Sequence, residues 1–484
     1  MASMTSNVAS GFRLEGHARL QVGNNINVYS AGRDCLADLR SQCVDPSDVK
    51  NRIEFLKGGL LKASYEWVLP EFWSWHGNSL SRLFWIRGDA GKGKTMLVCG
   101  IIDDLKARGH GDLIAYFFCQ ASDSRLQSST MVLKSLLFSL LARPRYGHLR
   151  KHLEVKHNSA GKQMFDDSNN TTFFGLRDVL ENMMRDNEFL PTCLIVDGLD
   201  ECENGLGEVL HLIRNTATTC DRIRWVVSSR NWPPIERQLG SLNFAITLNL
   251  EKNAENVSQA ISHYLDHKVP QLDCIRDNTA LQRETKSRLQ EKANGTFLWV
   301  SLVLKQLETE CFLESAVLPL IEDIPPGLWP IFERMMSKLK ENRVYFEACR
   351  GVLSTATLTN RPLQLQELQF LADVNKTDNI SKVVNLCGSF LTSVDGTVSL
   401  IHQSAKDYLL DPQRALAEAF PEGLAGVHHR TFVRPLEFMN STLRRDIYGL
   451  RRQDCSVQEI QTPSPDPLSQ GRYLYLHVLD RSSH

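Results

Sequence analysis

Eight consecutive residues, Gly88, Asp89, Ala90, Gly91, Lys92, Gly93, Lys94 and Thr95, constrain the fold of this 484-residue chain more than any other feature. They fit the spacing G-x-x-x-x-G-K-S/T at every fixed position, which chance supplies about once per hundred chains of this length. The apolar run from Leu83 to Ile86 precedes them, and residues 95–106 read as a helix after them. A glycine-rich turn between a strand and a helix start gathers backbone N–H groups around an anion, where the helix dipole also favours negative charge. Lys94 is then set to reach the β- and γ-oxygens of a nucleotide, and the Thr95 hydroxyl to ligate Mg²⁺.

Such a unit belongs in a parallel sheet flanked by helices, and the sequence around it agrees. Strands are predicted over 83–87, 113–119, 192–197, 222–228 and 244–250, with helices between them over 95–106, 130–142 and 172–184. The continuously apolar Cys193–Val196 run fits a strand buried on both faces. Residues 48–68 read as helical, with Ile53, Leu56, Leu60, Leu61 and Tyr65 on one side. The polar stretch 147–170, with His148, His152 and His157, reads as a solvated loop. Beyond Leu250 helices dominate, over 254–267, 279–292, 297–310, 328–340, 363–371 and 405–410, with a β-like piece at 393–401.

Composition bounds the functional class. A net charge of −1 offers no basic footprint for nucleic acid. Twelve scattered cysteines without a C-x-x-C pair suit neither a structural zinc site nor a disulfide framework. No apolar run reaches the ~18 residues of a membrane span, and residues 1–10 lack a signal-peptide core. The expectation is a cytoplasmic protein with no integral membrane segment.

A second element completes the phosphate chemistry. The apolar run ending in Asp197, followed by Asp200 and Glu201, places a carboxylate at a strand end beside the glycine-rich loop. Asp197 is suited to hold magnesium, and Asp200 or Glu201 to orient or deprotonate an attacking water. A further strand ends in Ser228, Ser229 and Arg230, where a cation can stabilise charge on a terminal phosphate. Residues 375–378 match the N-K-x-D guanine-reading motif, but they fall in the helical half and read as coincidence.

Together these motifs resemble the NACHT class of STAND NTPases, most of all the fungal heterokaryon-incompatibility proteins and the nephrocystin-3-like N-terminal module. Supporting runs are Arg33–Arg40, Lys57–Leu61, Gly91–Leu97, Ala293–Val300 and Ile401–Leu409, across about residues 30–440. The resemblance implies an α/β P-loop core, a helical domain and a winged-helix-like domain. It implies a switch that binds ATP or GTP with Mg²⁺, rests with ADP or GDP, and self-oligomerises when active. It adds Met96 to the nucleotide contacts, and gives His402 a β-phosphate contact or, alternatively, a place in the core. A proline common in the family near the nucleotide base is replaced here by Phe297, in Gly295-Thr296-Phe297. The implied domains are a motif at 1–32, a helical lead-in at 33–82, the NTPase core at 83–252, helices at 253–340, a winged-helix-like unit at 341–440 and a tail at 441–484. Sensor repeats are expected to be absent.

Within Gly11–Gly32, apolar residues alternate on even positions from Phe12 to Val28, a period of two. The run Arg19–Asn24 resembles the amyloid-forming motifs preceding some fungal NACHT domains, which implies templating of an effector partner. An edge strand or frayed terminus is the alternative. A P-loop motor, or a nucleotide-binding module without turnover, are the competing functions.

Overall fold

A computed structural model describes residues 19–21, 27–29, 35–109, 113–167, 169, 171–375 and 377–442. Two short strands, β1 (Arg19–Gln21) and β2 (Asn27–Tyr29), pair antiparallel, with Leu20 opposite Val28. The rest of Gly11–Gly32 and the tail lie outside the described residues.

The central sheet contains β3 (Leu83–Arg87), β4 (Leu113–Phe118), β5 (Thr192–Asp197), β6 (Ile223–Ser229) and β7 (Ala245–Asn249). Its order is β4-β5-β6-β3-β7, with every neighbouring pair parallel. All six residues of β5 are buried, as its unbroken apolar run requires. The buried indoles of the sheet are satisfied: Trp85 donates to the Ser229 hydroxyl (2.9 Å) and Trp225 to Thr216 (2.8 Å). β6 stands between β3 and β5, so Asp197 and the glycine-rich loop follow strands that are not neighbours, yet Thr95 still meets the Asp197 carboxylate. Crossover order is set by how helices cover the sheet, and local spacing carries no trace of it.

The stretch read as a loop is also structured. Residues Arg150–Ala160 form a helix that buries Leu153 and His157, and His157 Nε2 meets the Asp38 carboxylate at 3.0 Å. A buried face only two residues wide on a polar helix gives too faint a period to read.

Residues 48–68 are not one helix. Helix Pro46–Leu56 is capped by Asp45, whose carboxylate accepts from the Ser47 N–H at 2.8 Å. It stops where the N–H groups of Lys57, Gly58 and Gly59 turn back onto Ile53, Phe55 and Glu54. Gly58 and Gly59 hold φ of +79° and +93°, a left-handed ending that favours glycine. Short 3₁₀ turns at Lys62–Ser64 and Glu66–Val68 follow. They lay the Tyr65 ring across Gly100 of helix Lys94–Arg108.

The C-terminal half is helical up to Glu341. Beyond it, helix Phe346–Leu358, strand β8 (Leu363–Gln364), helices Leu365–Leu371 and Ile380–Leu386, then β9 (Leu391–Val394) and β10 (Thr397–Leu400) follow in order. The three strands pair antiparallel as β8-β10-β9. Phe332 of helix Leu328–Glu341 packs against Phe390 and Tyr408, with ring centroids 5.6 and 5.5 Å away, joining this unit to the preceding helices. Of the eleven described cysteines, all but Cys43 and Cys274 are buried.

Alanine in a helix interior normally stabilises relative to glycine, but a Cβ at Gly100 would overlap the Tyr65 ring. Gly100→Ala is therefore expected to cost about 1–3 kcal/mol, the range for overpacking. Denaturant titration checks this, and a variant as stable as the parent would mean that the lead-in packs elsewhere.

Candidate functional site

The loop after β3 is shaped by its glycines. Gly91 and Gly93 hold φ of +76° and +92°, and a Cβ on Gly91 would come within 2.8 Å of Leu298. Gly88 N–H donates to the Ser229 carbonyl (3.3 Å), fixing the loop's start to the end of β6. Lys94 Nζ donates to the carbonyls of Gly88 (2.6 Å) and Asp89 (2.9 Å), within the loop itself.

The carboxylates follow at the same sheet edge. Val196 pairs with Val227, so Asp197 stands level with Ser228. The Ser228 hydroxyl donates to Asp197 Oδ1 at 2.5 Å and accepts from the Gly198 N–H at 2.9 Å. Asp197 is buried, and desolvation raises its pKa against the hydrogen bonds from Ser228 and Thr95. Thr95 and Asp197 are thus in hydroxyl–carboxylate contact, the pair expected to share a magnesium ion. Glu201 Oε2 accepts from the Ala121 N–H at 3.0 Å. Asp200 accepts from the Arg230 N–H at 2.8 Å and pairs with its guanidinium at 3.1 Å.

The C-terminal unit closes the site. Arg230 Nη1 reaches Asp407 at 2.6 Å, while Arg230 Nη2 is buried without a partner. Lys406 Nζ donates to the Ala121 carbonyl at 3.3 Å. His402 caps helix Gln403–Leu410, its Nδ1 accepting from the Ser404 N–H at 3.0 Å. Desolvation, then the charges of Lys57, Arg230 and Lys94, hold its pKa well below the usual histidine range, so the ring is neutral.

One cavity therefore gathers Ala90, Gly91, Lys92, Gly93, Lys94, Thr95 and Met96 with Asp197, Asp200, Glu201, Arg230 and His402. Gly88 and Asp89 stay outside its lining, because the Asp89 carboxylate accepts from Asn231 (2.9 Å). Lys92 lines the cavity but donates to the Asn294 carbonyl (3.1 Å). Phe297 takes the position expected of a family proline; it would meet a Cβ on Gly93 at 3.1 Å. Ser228 and Asp407 were missed by sequence reasoning. The Ser-Ser-Arg strand end held the signal for Ser228, whereas nothing local marks Asp407 out from other helical acids. Asn375, Thr377 and Asp378 are not among the residues that line the cavity.

The donor set fits a Mg²⁺ nucleoside phosphate. Arg230 Nη2, buried without a hydrogen-bond partner, and Lys94, bonded to loop carbonyls, are donors that suit anionic oxygens. Among the described residues no cluster of three His, Cys, Asp or Glu could hold a metal by itself. Mg²⁺ would lean on one or two protein ligands plus phosphate, its usual habit.

Residues 63–230 match the family described as Nephrocystin 3, N-terminal. Over 469 residues, 93% of its length, the chain is 38% identical to the Vegetative incompatibility protein HET-E-1 of Podospora anserina. The chain is similar to a NACHT-type protein. It spans 34% of the length of that relative. Among solved structures, AMPPCP-bound DnaA from Aquifex aeolicus aligns over 78% of this chain and 88% of its own (TM-score 0.30, 13% identity). The Aeropyrum pernix ORC1 protein in complex with DNA aligns over 73% and 92% (TM-score 0.32, 15% identity). Likeness this distant carries nothing of their activities over to this chain.

Electrostatics give this site a pH signature. Desolvation, then the Asp200 charge, push the Glu201 carboxyl up to about 8. Folded, it keeps its proton up to that pH; unfolded, it releases it in the ordinary carboxyl range. Between those limits the unfolded state binds fewer protons, so this group makes stability fall as pH rises. Glu201→Gln keeps an acceptor for Ala121 and removes the titration. The thermal midpoint of the parent is expected to drop more steeply from pH 5 to 8 than that of the variant. Parallel curves would show that the Glu201 carboxyl is not raised.

Proposed function

We propose that this chain is the nucleotide-dependent switch of a NACHT-type signalling protein in non-self recognition, binding ATP or GTP with Mg²⁺ and hydrolysing it slowly. The observation that carries the reading is a single cavity walled by the loop at 90–96, the acids after β5, Arg230, and His402 from the C-terminal unit. No helix among the described residues is long and apolar enough to cross a membrane, in keeping with action in the cytoplasm.

Each residue then has a role. The loop N–H groups cradle the β-phosphate, Lys94 leaves its carbonyls for the β/γ oxygens, and Thr95 with Asp197 holds the metal, which screens charge on the terminal phosphate. Asp200 or Glu201 orients the attacking water. Arg230 divides its guanidinium between Asp200 and Asp407, so a terminal phosphate that draws it inward loosens its hold on the C-terminal unit. Neutral His402 donates from Nε2 to a diphosphate and favours the closed resting form. The helix–strand–helix–helix–strand–strand order from Phe346 to Leu400 supports assigning that unit as winged-helix-like. Opening it frees surface for self-oligomerisation.

Turnover without a partner is expected to be slow. Asp200 is tied to Arg230 and Glu201 holds a proton at neutral pH, so no ionised carboxylate stands free to activate water. These facts also favour a second reading, a nucleotide held without hydrolysis. Release of labelled phosphate separates the two.

Lys94→Ala is expected to abolish binding of labelled ATP and GTP, since no other side chain in the loop can take its place. Undiminished binding would refute the phosphate site. Asp197→Asn should keep measurable binding and lose the Mg²⁺ dependence of any hydrolysis.

The N-terminal segment supplies a route to an effector. The pairing of β1 with β2 supports a hairpin-like arch, and residues 11–32 contain no proline. A peptide of residues 11–32 is expected to form fibrils with the ~4.7 Å cross-β spacing, and Val22→Pro to suppress them. A wild-type peptide that stays monomeric at high concentration would refute the templating role.

A further inference from the structure

Three cations, not two, converge on the phosphate end of the cavity. Lys94 and Arg230 come from the loop and from the end of β6. The third is Lys57, which lies outside the sheet, at the end of helix Pro46–Leu56. It lines the same cavity as Lys94, Glu201 and His402. His402 feels the charges of Lys57, Arg230 and Lys94 together, and Lys57 in turn feels Glu201. Its place in that lining puts Lys57 within electrostatic reach of His402 and Glu201. Among the described residues its ammonium has neither a hydrogen-bond acceptor nor an ion-pair partner. By contrast Lys50, two turns earlier, is bound by Glu54 (2.5 Å) and Asp103 (2.8 Å).

The backbone makes this placement deliberate. Lys57 ends the helix with its N–H on the Ile53 carbonyl (3.0 Å), and the two left-handed glycines after it turn the chain away. A Cβ on Gly58 would approach the Lys268 Nζ at 2.8 Å, so the turn is packed from outside as well. The side chain is left directed into the cavity. Desolvation there pushes its pKa down, and an unpaired cation so placed gains most from an incoming anion.

We propose that Lys57 binds the terminal phosphate of a nucleoside triphosphate, and so lets the helical lead-in distinguish triphosphate from diphosphate. The inference rests on the nucleotide reading above. Lys94 serves oxygens common to both nucleotides, whereas Lys57, out by Glu201, has a ligand only when the third phosphate is present. The lead-in also carries Tyr65, seated on Gly100, so a pull on Lys57 is felt by the helix that begins at Lys94.

The test is equilibrium binding of the full chain with Mg²⁺ to fluorescent diphosphates and non-hydrolysable triphosphates of adenosine and guanosine. Lys57→Met is expected to weaken triphosphate binding about 10- to 100-fold, the range for a lost charged hydrogen bond. Diphosphate affinity should change less than about two-fold, which also reports that the variant is folded. Lys57→Arg should recover most of the loss. If the parent binds both nucleotides and Lys57→Met leaves their affinity ratio unchanged, the role of Lys57 is overturned and the nucleotide reading stands. If Lys57→Met weakens both equally and Lys57→Arg rescues neither, Lys57 only supports the fold and the proposal is again overturned. A parent chain that binds no nucleotide overturns the nucleotide reading and this inference with it.

Discussion

Strand β6 is the ruler against which the site is measured. Paired in parallel with β3 on one side and β5 on the other, it brings the carboxyl ends of all three to one edge. Its last residues then make the connections. Ser228 holds Asp197, Ser229 takes the Trp85 indole and the Gly88 N–H, and Arg230 bonds Asp200. A one-residue slip of β6 would turn Ser228 to the opposite face of the sheet and leave Asp197 buried without its closest donor.

Around that edge the chain concentrates charge at low hydration. Asp197, Asp200 and Glu201 crowd together, and two of them respond by favouring the protonated form. The cations answer from three directions: the loop, the β6 end and the lead-in. Arg230 is the hinge of this arrangement because it is shared between an acid of the core and an acid of the C-terminal unit. In the proposed function, a shared ion of this kind would couple the occupancy of the cavity to the position of the C-terminal unit.

The glycine-rich loop is also held from the helical side. Its Gly91 carbonyl accepts from the Leu298 N–H (3.2 Å), and Phe297 packs over Gly93. Tyr264 meets Phe297 edge-on, with ring centroids 6.0 Å apart. Phe297, which stands where the family pattern has a proline, thus packs here against the glycine-rich loop. The loop is braced by sheet and helices together, and any ligand that reshapes it pushes on both.

By itself the sequence determined the local units. A strand, a glycine turn and a helix start are dictated within a dozen residues by apolar runs, left-handed φ and dipole, so the loop at 88–95 and the strand ending at Asp197 were legible. So was the helical character beyond Leu250, through its period. What escaped was whatever depends on residues remote in the chain. The interposition of β6, the helix at Arg150–Ala160, the pairing of Arg230 with Asp407 across 177 positions and the arrival of Lys57 all belong to that class. Sequence periodicity reports which face of an element is buried. It does not report which other element buries it, and only tertiary packing decides which charges meet there.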